Sequence, residues 1–459
     1  MSLTGIAFLL CFATGIWLAF FRHAKYGLYL YMAIYYLDPH SRWWGQFMPN
    51  MRWSLLAGLI LLLATLRLPS RPDVVPWFRT TPAKLLIAFT LWMWLQNLWA
   101  LAPDEHLEGT ILFTKYVVLF AIFYRLMETP ADVRDCLVVH VAGCAYLGWL
   151  GYIAPPGGRL EGVGGPGIDD ANALAMFMGT GIICGAMVIL AERGWRQWLA
   201  MLSMPFILNT IVQSQSRGAM LAIVCAGLIL FYMKPRPYRI HFYAFALLGV
   251  VLFGIVAQDS FWNRMRTLTA TVDQNVELDS SAESRIVVVK AQFRMAWDYP
   301  LGVGHRGTAV LSPRYLDAKW LAKSPDDPDG IGARSSHNSY MSALVEQGIP
   351  GAIVFLGFPV WVLRSVGVFK RHQKVAANAK SHLLIYAPAT IGALVVVFVA
   401  GMFTDYIKTE VQIWMFALLA ALSRVLLPRE QVVEEAAPKA GRHGSNKRRE
   451  TRTPGSVAP

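Results

Sequence analysis

Charged residues are scarce in this chain: they make up 15% of its 459 residues, whereas hydrophobic residues make up 55%. No soluble globular domain needs so much apolar surface, and the composition therefore excludes that class. Apolar runs recur along the chain, and the criterion of about twenty residues per span predicts roughly twelve or thirteen transmembrane helices. The predicted fold class is all-α, a polytopic membrane protein. The main runs cover residues 3–21, 26–37, 53–66, 83–101, 111–127, 136–154, 171–190, 241–257, 383–404 and 411–427.

Cysteine is rare as well. The chain has five cysteines: Cys11, Cys136, Cys144, Cys184 and Cys225. All five fall in apolar runs and none in a loop. A disulfide framework is therefore not expected, and the cysteines do not identify the redox compartment.

Several catalytic signatures are missing from the sequence, among them Gly-x-Ser-x-Gly, a Cys–His arrangement and a nucleotide-binding loop. The glycine-rich residues 162–167 resemble a nucleotide fingerprint only superficially, because no strand precedes them. His305 and His337 have no partners at zinc-binding spacing. The acidic residues 324–330 lack regular ligand spacing, so a solvated turn is favoured there over a divalent-cation site.

Positive charge is abundant, since the net charge is +13, but its distribution indicates membrane topology rather than nucleic-acid binding. Basic residues crowd into alternate short loops, which the positive-inside rule places in the cytoplasm. These residues are Arg67, Arg71, Arg79 and Lys84, then Arg193 and Arg196, then Lys234, Arg236 and Arg239, then Arg364, Lys370, Arg371, Lys374 and Lys380. The basic tail, residues 429–459, is expected to be cytoplasmic and disordered.

One long hydrophilic segment divides the chain. We expect a transmembrane bundle in two parts, residues 1–257 and 337–428, separated by a periplasmic loop at 258–336. That loop carries acidic residues beside its basic ones, unlike the purely basic loops, which favours the external side.

The external loop is predicted to contain an amphipathic helix, opened by a capping box of Ser280 and Glu283. Its apolar residues fall on one face, which indicates a helix that lies on the membrane surface or roofs the bundle. These residues are Ile286, Val289, Phe293 and Trp297. Arg285 is predicted in its first turn, where a helix amino terminus attracts phosphate.

Two further residues are candidates for chemistry at this external side. His337 stands where the polar segment joins an apolar helix, and it is predicted on the first helical turn with Ser335, Ser336 and Ser339 as helix-start residues. A histidine that only caps the helix is the alternative. Arg217 lies in a turn rich in glutamine and serine, and the adjacent Gly218 would allow another group to approach closely. Snorkelling to the interface is its alternative.

An anion held by two arginines beside a neutral imidazole suits transfer away from a phosphate leaving group. Arginine forks bind phosphate oxygens and could replace a metal ion, and the histidine could remove a proton from an acceptor hydroxyl. Other residues are predicted to line the same site: Arg159, Glu161, Gln215, Arg306 and Asn338. A flexible polar loop is the alternative for the first two of these.

Four sequence features together resemble the O-antigen ligase and polymerase superfamily of bacterial envelope glycosyltransferases. They are SRG at 216–218, SR at 284–285 leading to YPLGVG at 299–304, HNSYMSALVEQGIPG at 337–351, and their order around one external loop. The resemblance implies a GT-C-like fold in the bacterial inner membrane with a periplasmic active site. It implies an undecaprenyl diphosphate-linked glycan as donor, with no cofactor, metal or nucleotide sugar.

Carried over by motif, His337 would be the general base, and Arg217 and Arg285 would hold the diphosphate, with inversion at the anomeric centre. The acceptor would be lipid A-core in a ligase, a repeat unit in a polymerase, and a protein Ser or Thr in an O-oligosaccharyltransferase. We favour the ligase because the external segment is one coherent loop with a helical cover. A transporter or flippase of lipid-linked glycans is the alternative of another class. It should place charge near the bilayer midplane, whereas the apolar runs here are nearly free of charge.

Overall fold

The computed structural model describes residues 2–69, 71, 74–155, 159–165, 167–256, 280–322, 332–375 and 384–427. Over these ranges the chain forms sixteen α-helices and no β-sheet, apart from one isolated bridge between Ala322 and Ala333. The predicted all-α class is therefore confirmed.

Ten helices precede the external segment: α1 (Leu3–Phe21), α2 (Lys25–Leu37), α3 (Trp53–Leu66), α4 (Thr81–Gln96), α5 (Pro103–Leu126), α6 (Pro130–Ile153), α7 (Ala171–Ala191), α8 (Trp195–Ser214), α9 (Arg217–Met233) and α10 (Arg239–Val256). Three shorter or amphipathic helices follow: α11 (Ser280–Asp298), α12 (Gly307–Tyr315) and α13 (Ser339–Glu346). The last three are α14 (Gly348–Val375), α15 (Tyr386–Ala400) and α16 (Glu410–Leu426).

Polar residues at the helix starts explain several of these boundaries. Thr129 and Asp132 form a reciprocal capping box before α6, in which each side chain bonds the other residue's backbone N–H. Asp170 accepts hydrogen bonds from the first backbone N–H groups of α7, and Ser216 accepts one from Ala219 in α9. Each cap satisfies donors that a helix amino terminus cannot satisfy itself, so these helices begin where short polar side chains stand.

Among the described residues, five helices are long and apolar enough to cross a membrane: α1, α5, α6, α7 and residues Gly348–Gln373 of α14. Shorter apolar helices are α3, α9, Arg239–Val251 of α10, and α15. α3 has 14 residues, so it is about 21 Å long at 1.5 Å per residue, less than the roughly 30 Å hydrocarbon core. The polytopic architecture agrees with the prediction, although fewer helices satisfy the length criterion than the roughly twelve or thirteen expected.

Connections between helices gather at two opposite ends of the bundle. At one end, Arg71 pairs with Glu128 at 2.9 Å, and Arg196 lies 3.5 Å from Asp135. We call this the basic end. Helices α1–α9 and α14–α16 run alternately between it and the other end, where α11, α12 and α13 also lie. We call that second end the site end.

The centre of the bundle is formed by α7, α15 and α16, whose residues are buried on nearly all sides. Small residues permit this close packing: a Cβ on Gly181 would lie 2.6 Å from the Cys144 sulfur, and one on Gly392 would lie 2.8 Å from Ile183. By contrast, α14 exposes one row of apolar side chains at spacings of three and four residues. That row is Ile349, Ile353, Leu356, Val360 and Leu363.

Two local predictions about the external segment are wrong. His337 does not lie in the first turn of α13, because the helix begins at Ser339 and Asn338 is its N-cap. The amide oxygen of Asn338 accepts from the backbone N–H groups of Tyr340 and Met341, so the upstream serines do not cap the helix. Arg285 is the sixth residue of α11 and so lies in its second turn rather than its first. The side chains of Ser280 and Glu283, predicted as a capping box, lie outside the described residues.

The apolar face of α11 that its sequence identifies is exposed. Ile286, Phe293 and Trp297 are exposed, while Val288 and Met295 on the opposite face are buried against α12 and α13. The helix therefore covers its neighbours with one apolar face and leaves a second apolar face outward.

Candidate active site

His337 lies in a short turn that is held from two sides. Its backbone is left-handed, with φ 50°, a conformation that costs about 1 kcal/mol or more in a non-glycine residue. Ser336 donates from its hydroxyl to the carbonyl of Asn338 at 2.9 Å, and the fully buried Gln292 of α11 donates to that hydroxyl at 2.7 Å. The surrounding bonds thus maintain a backbone conformation that the residue alone would disfavour.

The turn between α15 and α16, residues 401–409, supports the other side of His337. The side-chain amide of Asn338 donates to the carbonyl of Met402 at 3.0 Å. The backbone N–H of Ser339 donates to the carbonyl of Gly401 at 2.7 Å. The Ser339 hydroxyl accepts from the backbone N–H of Tyr406 at 2.7 Å. The start of α13 and the 401–409 turn therefore form one hydrogen-bonded unit.

The charges around His337 favour its neutral form. Partial loss of hydration lowers the pKa of His337, and the nearby cations Arg334 and Arg285 lower it further, while Asp170 acts in the opposite direction. The residue remains accessible to solvent. An accessible imidazole that is uncharged near neutral pH has the protonation state that a general base requires.

Two arginines approach His337 from α11 and from the segment before α13. Arg285 is exposed on α11, and Arg334 donates to the hydroxyl of the adjacent Ser284 at 3.3 Å. The backbone N–H of Arg334 also donates to the hydroxyl of Ser312 in α12 at 2.8 Å. Arg334 was not predicted from the sequence, and its only signal was its position three residues before His337. Arg285 acts electrostatically on His337, and its role in the site stays a prediction.

Arg217 is the first residue of α9 and is half-buried. The close approach predicted at Gly218 is found, because a Cβ there would lie only 2.8 Å from the Cβ of Phe403. Phe403 belongs to the 401–409 turn, next to the Met402 carbonyl that binds Asn338. Gly218 and Asn338, the neighbours of Arg217 and His337, therefore approach the same turn, although 120 residues separate them in sequence.

Arg159 connects the α6–α7 loop to the α8–α9 turn. Its guanidinium donates to the carbonyl of Ser214 at 3.2 Å and to the side chain of Asn172 at 2.9 Å, and lies 3.9 Å from the exposed carboxylate of Glu161. Gln215, the C-cap of α8, has a left-handed backbone with φ 51°. These contacts give Arg159 and Gln215 a structural role in shaping the turn before Arg217.

Tyr406, in the 401–409 turn, is affected by candidate residues from two parts of the chain. Burial raises the pKa of its hydroxyl, and Asp170, Arg159 and Arg285 all act on it electrostatically. These three residues come from the α6–α7 connection and from α11, so the charges of both groups of candidates reach the 401–409 turn.

Arg306 lies in a different polar cluster, near the far end of α13. It is the N-cap of α12, with φ 70°, and acts electrostatically on Lys408. There His305 lies 3.1 Å from Glu346, the last residue of α13, and eight helical residues separate that end from His337, about 12 Å. The prediction that Arg306 lines the same site as His337 therefore stays a prediction. Loss of hydration and then the negative Glu346 raise the pKa of Asp405, which also belongs to this cluster.

Within the described ranges, no group of three or more His, Cys, Asp and Glu side chains could hold a metal ion. The acidic residues 324–330 and the basic tail lie outside those ranges. The five cysteines are unpaired, and Cys136, Cys144 and Cys184 are buried.

Part of the chain is similar to a known protein family. Residues 202–356 match the family model described as O-antigen ligase. The matched region begins in α8, includes Arg217, Arg285 and His337, and ends in α14. No curated protein matches the chain.

Proposed function

We propose that this membrane protein, whose residues 202–356 match the family model described as O-antigen ligase, completes lipopolysaccharide by glycan transfer. The donor would be a glycan on undecaprenyl diphosphate and the acceptor a sugar hydroxyl of lipid A-core. The family gives the coarser conclusion, a glycosyltransferase-like protein of O-antigen assembly. One observation supports the finer one: Arg334 and Arg285 help to keep the accessible His337 neutral, and its neighbour Asn338 bonds the same turn that Gly218, beside Arg217, approaches closely.

Donor binding is assigned to the arginines. A diphosphate carries charge that a membrane interface cannot stabilise without cationic partners. Guanidinium groups stay charged at any relevant pH and present paired donors that match phosphate oxygens. Arg217 and Arg285 would hold the diphosphate from α9 and α11.

His337 would act on the acceptor. As the acceptor oxygen forms its bond to the anomeric carbon, its proton passes to the neutral imidazole. The bond between the anomeric carbon and the diphosphate oxygen breaks, and its electron pair stays on the diphosphate. Direct displacement of this kind inverts the anomeric centre. The arginines stabilise the charge on the departing group, which is the larger part of the rate enhancement expected of such a site.

The proposed location is the bacterial inner membrane with the site end in the periplasm. Basic residues of the short loops gather at the opposite end of the bundle, and the positive-inside rule places that end in the cytoplasm. The domain division stays a prediction: of the three helices at the site end, α11 and α12 fall in the predicted loop and α13 in the second part of the bundle.

The decisive experiment incubates the purified full-length protein with lipid-linked glycan and one of four additions: lipid A-core, a serine-containing peptide, more donor, or buffer. We expect glycosylated lipid A-core as the product. Longer lipid-linked glycan with donor alone would indicate a polymerase, and glycopeptide an O-oligosaccharyltransferase. If the donor moves between leaflets of a reconstituted vesicle without any transfer, a flippase replaces the enzyme.

A further inference from the structure

α11 presents an outward face that no part of the described chain covers. Trp297 is 86% exposed, Phe293 56% and Ile286 53%. Residues separated by four, seven and eleven positions share one side of a helix, so these three form a continuous stripe. We call this stripe, together with Lys290 and Arg294, the outer face of α11.

The outer face combines apolar and basic side chains. Lys290 and Arg294 are both exposed, and at 100° per residue they lie beside the stripe rather than opposite it. A helix surface in water is expected to be polar, and three large exposed apolar residues in a row indicate an interaction site. Aromatic and aliphatic side chains beside Lys and Arg are typical of helices that lie in the membrane interface.

The segment just after α11 is hydrogen-bonded to the carboxyl end of α4. The indole of Trp99, just after α4, donates to the carbonyl of Gly302 at 3.0 Å, and Gln96 donates to the carbonyl of Leu301 at 3.0 Å. Tryptophan is enriched at membrane–water interfaces. Trp297 and Trp99 therefore lie near the same end of the bundle, as expected of an interfacial level.

The outer face also continues into a surface of a helix that can span the membrane. The backbone N–H of Ile349 in α14 donates to the carbonyl of Pro300 at 2.9 Å, and Leu301 is itself 56% exposed. The exposed apolar row of α14 begins at Ile349, next to this point, and extends along the helix. The stripe on α11 thus adjoins a row that faces lipid if α14 crosses the bilayer.

We propose that the outer face of α11 is a membrane-contact surface, which rests in the headgroup region of the leaflet at the site end and binds anionic phospholipids through Lys290 and Arg294. The same helix carries Arg285, as well as Gln292, which braces the His337 turn. Contact with lipid would therefore fix the height of Arg285 relative to the bilayer. The proposal does not depend on the identity of the substrates.

Nitroxide accessibility tests the position of this face in the full-length protein. Since Cys136, Cys144 and Cys184 are buried, only Cys11 and Cys225 need replacement by alanine before a label is attached to Phe293→Cys or Trp297→Cys. Ile353→Cys on α14 is the lipid control, and the exposed Asp317→Cys, after α12, is the water control. The protein is reconstituted in nanodiscs of phosphatidylethanolamine and phosphatidylglycerol.

We expect the ratio of oxygen to nickel-chelate accessibility at positions 293 and 297 to be several-fold above that at 317 and close to that at 353. A ratio equal to that at 317 would place the face in water and overturn the proposal. Shielding from both reagents would also overturn it, because it would show that protein covers the face.

The lipid charge is tested separately with the label at position 293. Raising the phosphatidylglycerol fraction should increase its oxygen-to-nickel ratio, and Lys290→Gln with Arg294→Gln should abolish that response. Arg314→Gln with Lys319→Gln, at exposed positions on and after α12, is the matched control and should retain it. An equal response in both double variants would rule out lipid binding by Lys290 and Arg294.

Discussion

At the scale of single residues, His337 has a left-handed backbone, as Gln215 and Arg306 do among the other candidates. A left-handed backbone directly before the N-cap turns its side chain away from the helix that follows, instead of continuing the helical face. Strain of about 1 kcal/mol or more persists only where surrounding contacts over-determine the conformation. Here Gln292 and the 401–409 turn provide those contacts.

Removing the imidazole should abolish most transfer without preventing donor binding. We expect His337→Ala to lower the transfer rate by about 10² to 10⁴, the range of general-base catalysis, while donor affinity stays near that of the wild type. Single-turnover transfer and equilibrium binding of labelled donor measure the two quantities. His40→Ala is the control, because His40 is an exposed histidine at the same end that bonds the carbonyl of Met51. Unaltered glycan attachment by His337→Ala in cells would remove this residue from the mechanism.

The geometry of Arg217 matters as well as its charge. Arg217→Lys keeps the charge and loses the paired donors of the guanidinium, so we expect transfer to fall at least about tenfold, equivalent to one good charge-assisted bond of about 1.5 kcal/mol. Steady-state transfer at saturating acceptor gives the measurement. Arg193→Lys, at the basic end, should be neutral. Full activity of Arg217→Lys would show that Arg217 only snorkels to the interface.

The pH dependence of transfer should report the charges near His337. Removing the cation in Arg334→Gln makes the imidazolium easier to form, so the pKa of His337 rises and activity is lost at a higher pH on acidification. Asp170→Ser keeps an N-cap residue on α7 but removes the anion, so the acid limb should move to lower pH. Profiles of kcat/KM against pH for both variants test these opposite signs. A shift in the same direction for both would contradict the electrostatic account.

At the scale of secondary structure, α11 and α13 form one unit joined by a short chain of hydrogen bonds. Gln292 in the middle of α11 donates to the hydroxyl of Ser336, and that hydroxyl donates to the carbonyl of Asn338. Ser336 and Asn338 are the residues directly before and after His337. A buried hydrogen bond contributes about 1 kcal/mol net. Its loss should loosen the histidine turn more than it destabilises the protein.

A double-mutant cycle on Gln292 and Ser336 tests this brace. We expect Gln292→Met and Ser336→Ala each to lower kcat by about fivefold, the equivalent of about 1 kcal/mol, with little change in KM for donor. Because both changes remove the same bond, the double variant should be no worse than the single variants. Fully multiplicative losses would show that the two residues act independently. The matched control is Ser365→Ala, a buried serine of α14 whose hydroxyl bonds within its own helix.

The positions of helices were largely predictable from local sequence, but the roles of their faces were not. The starts of α1, α3 and α7 match the apolar runs because each run is long and its caps are adjacent in sequence. On α11, however, Ile286, Phe293 and Trp297 turn outward because Val288 and Met295 fit against α12 and α13. Periodicity identifies an apolar face, but the neighbours decide whether protein or lipid covers it.

At the scale of the whole molecule, the proposed chemistry relies on fixed guanidinium charge for the departing diphosphate. We therefore expect transfer by the purified protein to continue in excess EDTA at a rate within about twofold of the untreated rate, since Arg217 and Arg285 supply the positive charge. The measurement is product formation after chelation and after return of magnesium. Activity that EDTA abolishes and magnesium restores would count against the arginine assignment.

The sequence by itself determined the class of molecule: scarce charge and recurrent apolar runs require a membrane bundle, and short polar caps define the starts of α1, α6, α7 and α9. Its motifs also identified Arg217, Arg285 and His337 as candidates. Only the tertiary structure decided which side chains meet. It brought Arg334 and Asp170 to His337, placed Arg306 with Lys408, and used the 401–409 turn to join residues far apart in the chain. The physical reason is range, because hydropathy and capping act over a few neighbouring residues, whereas electrostatic environment and burial depend on distant segments that pack together.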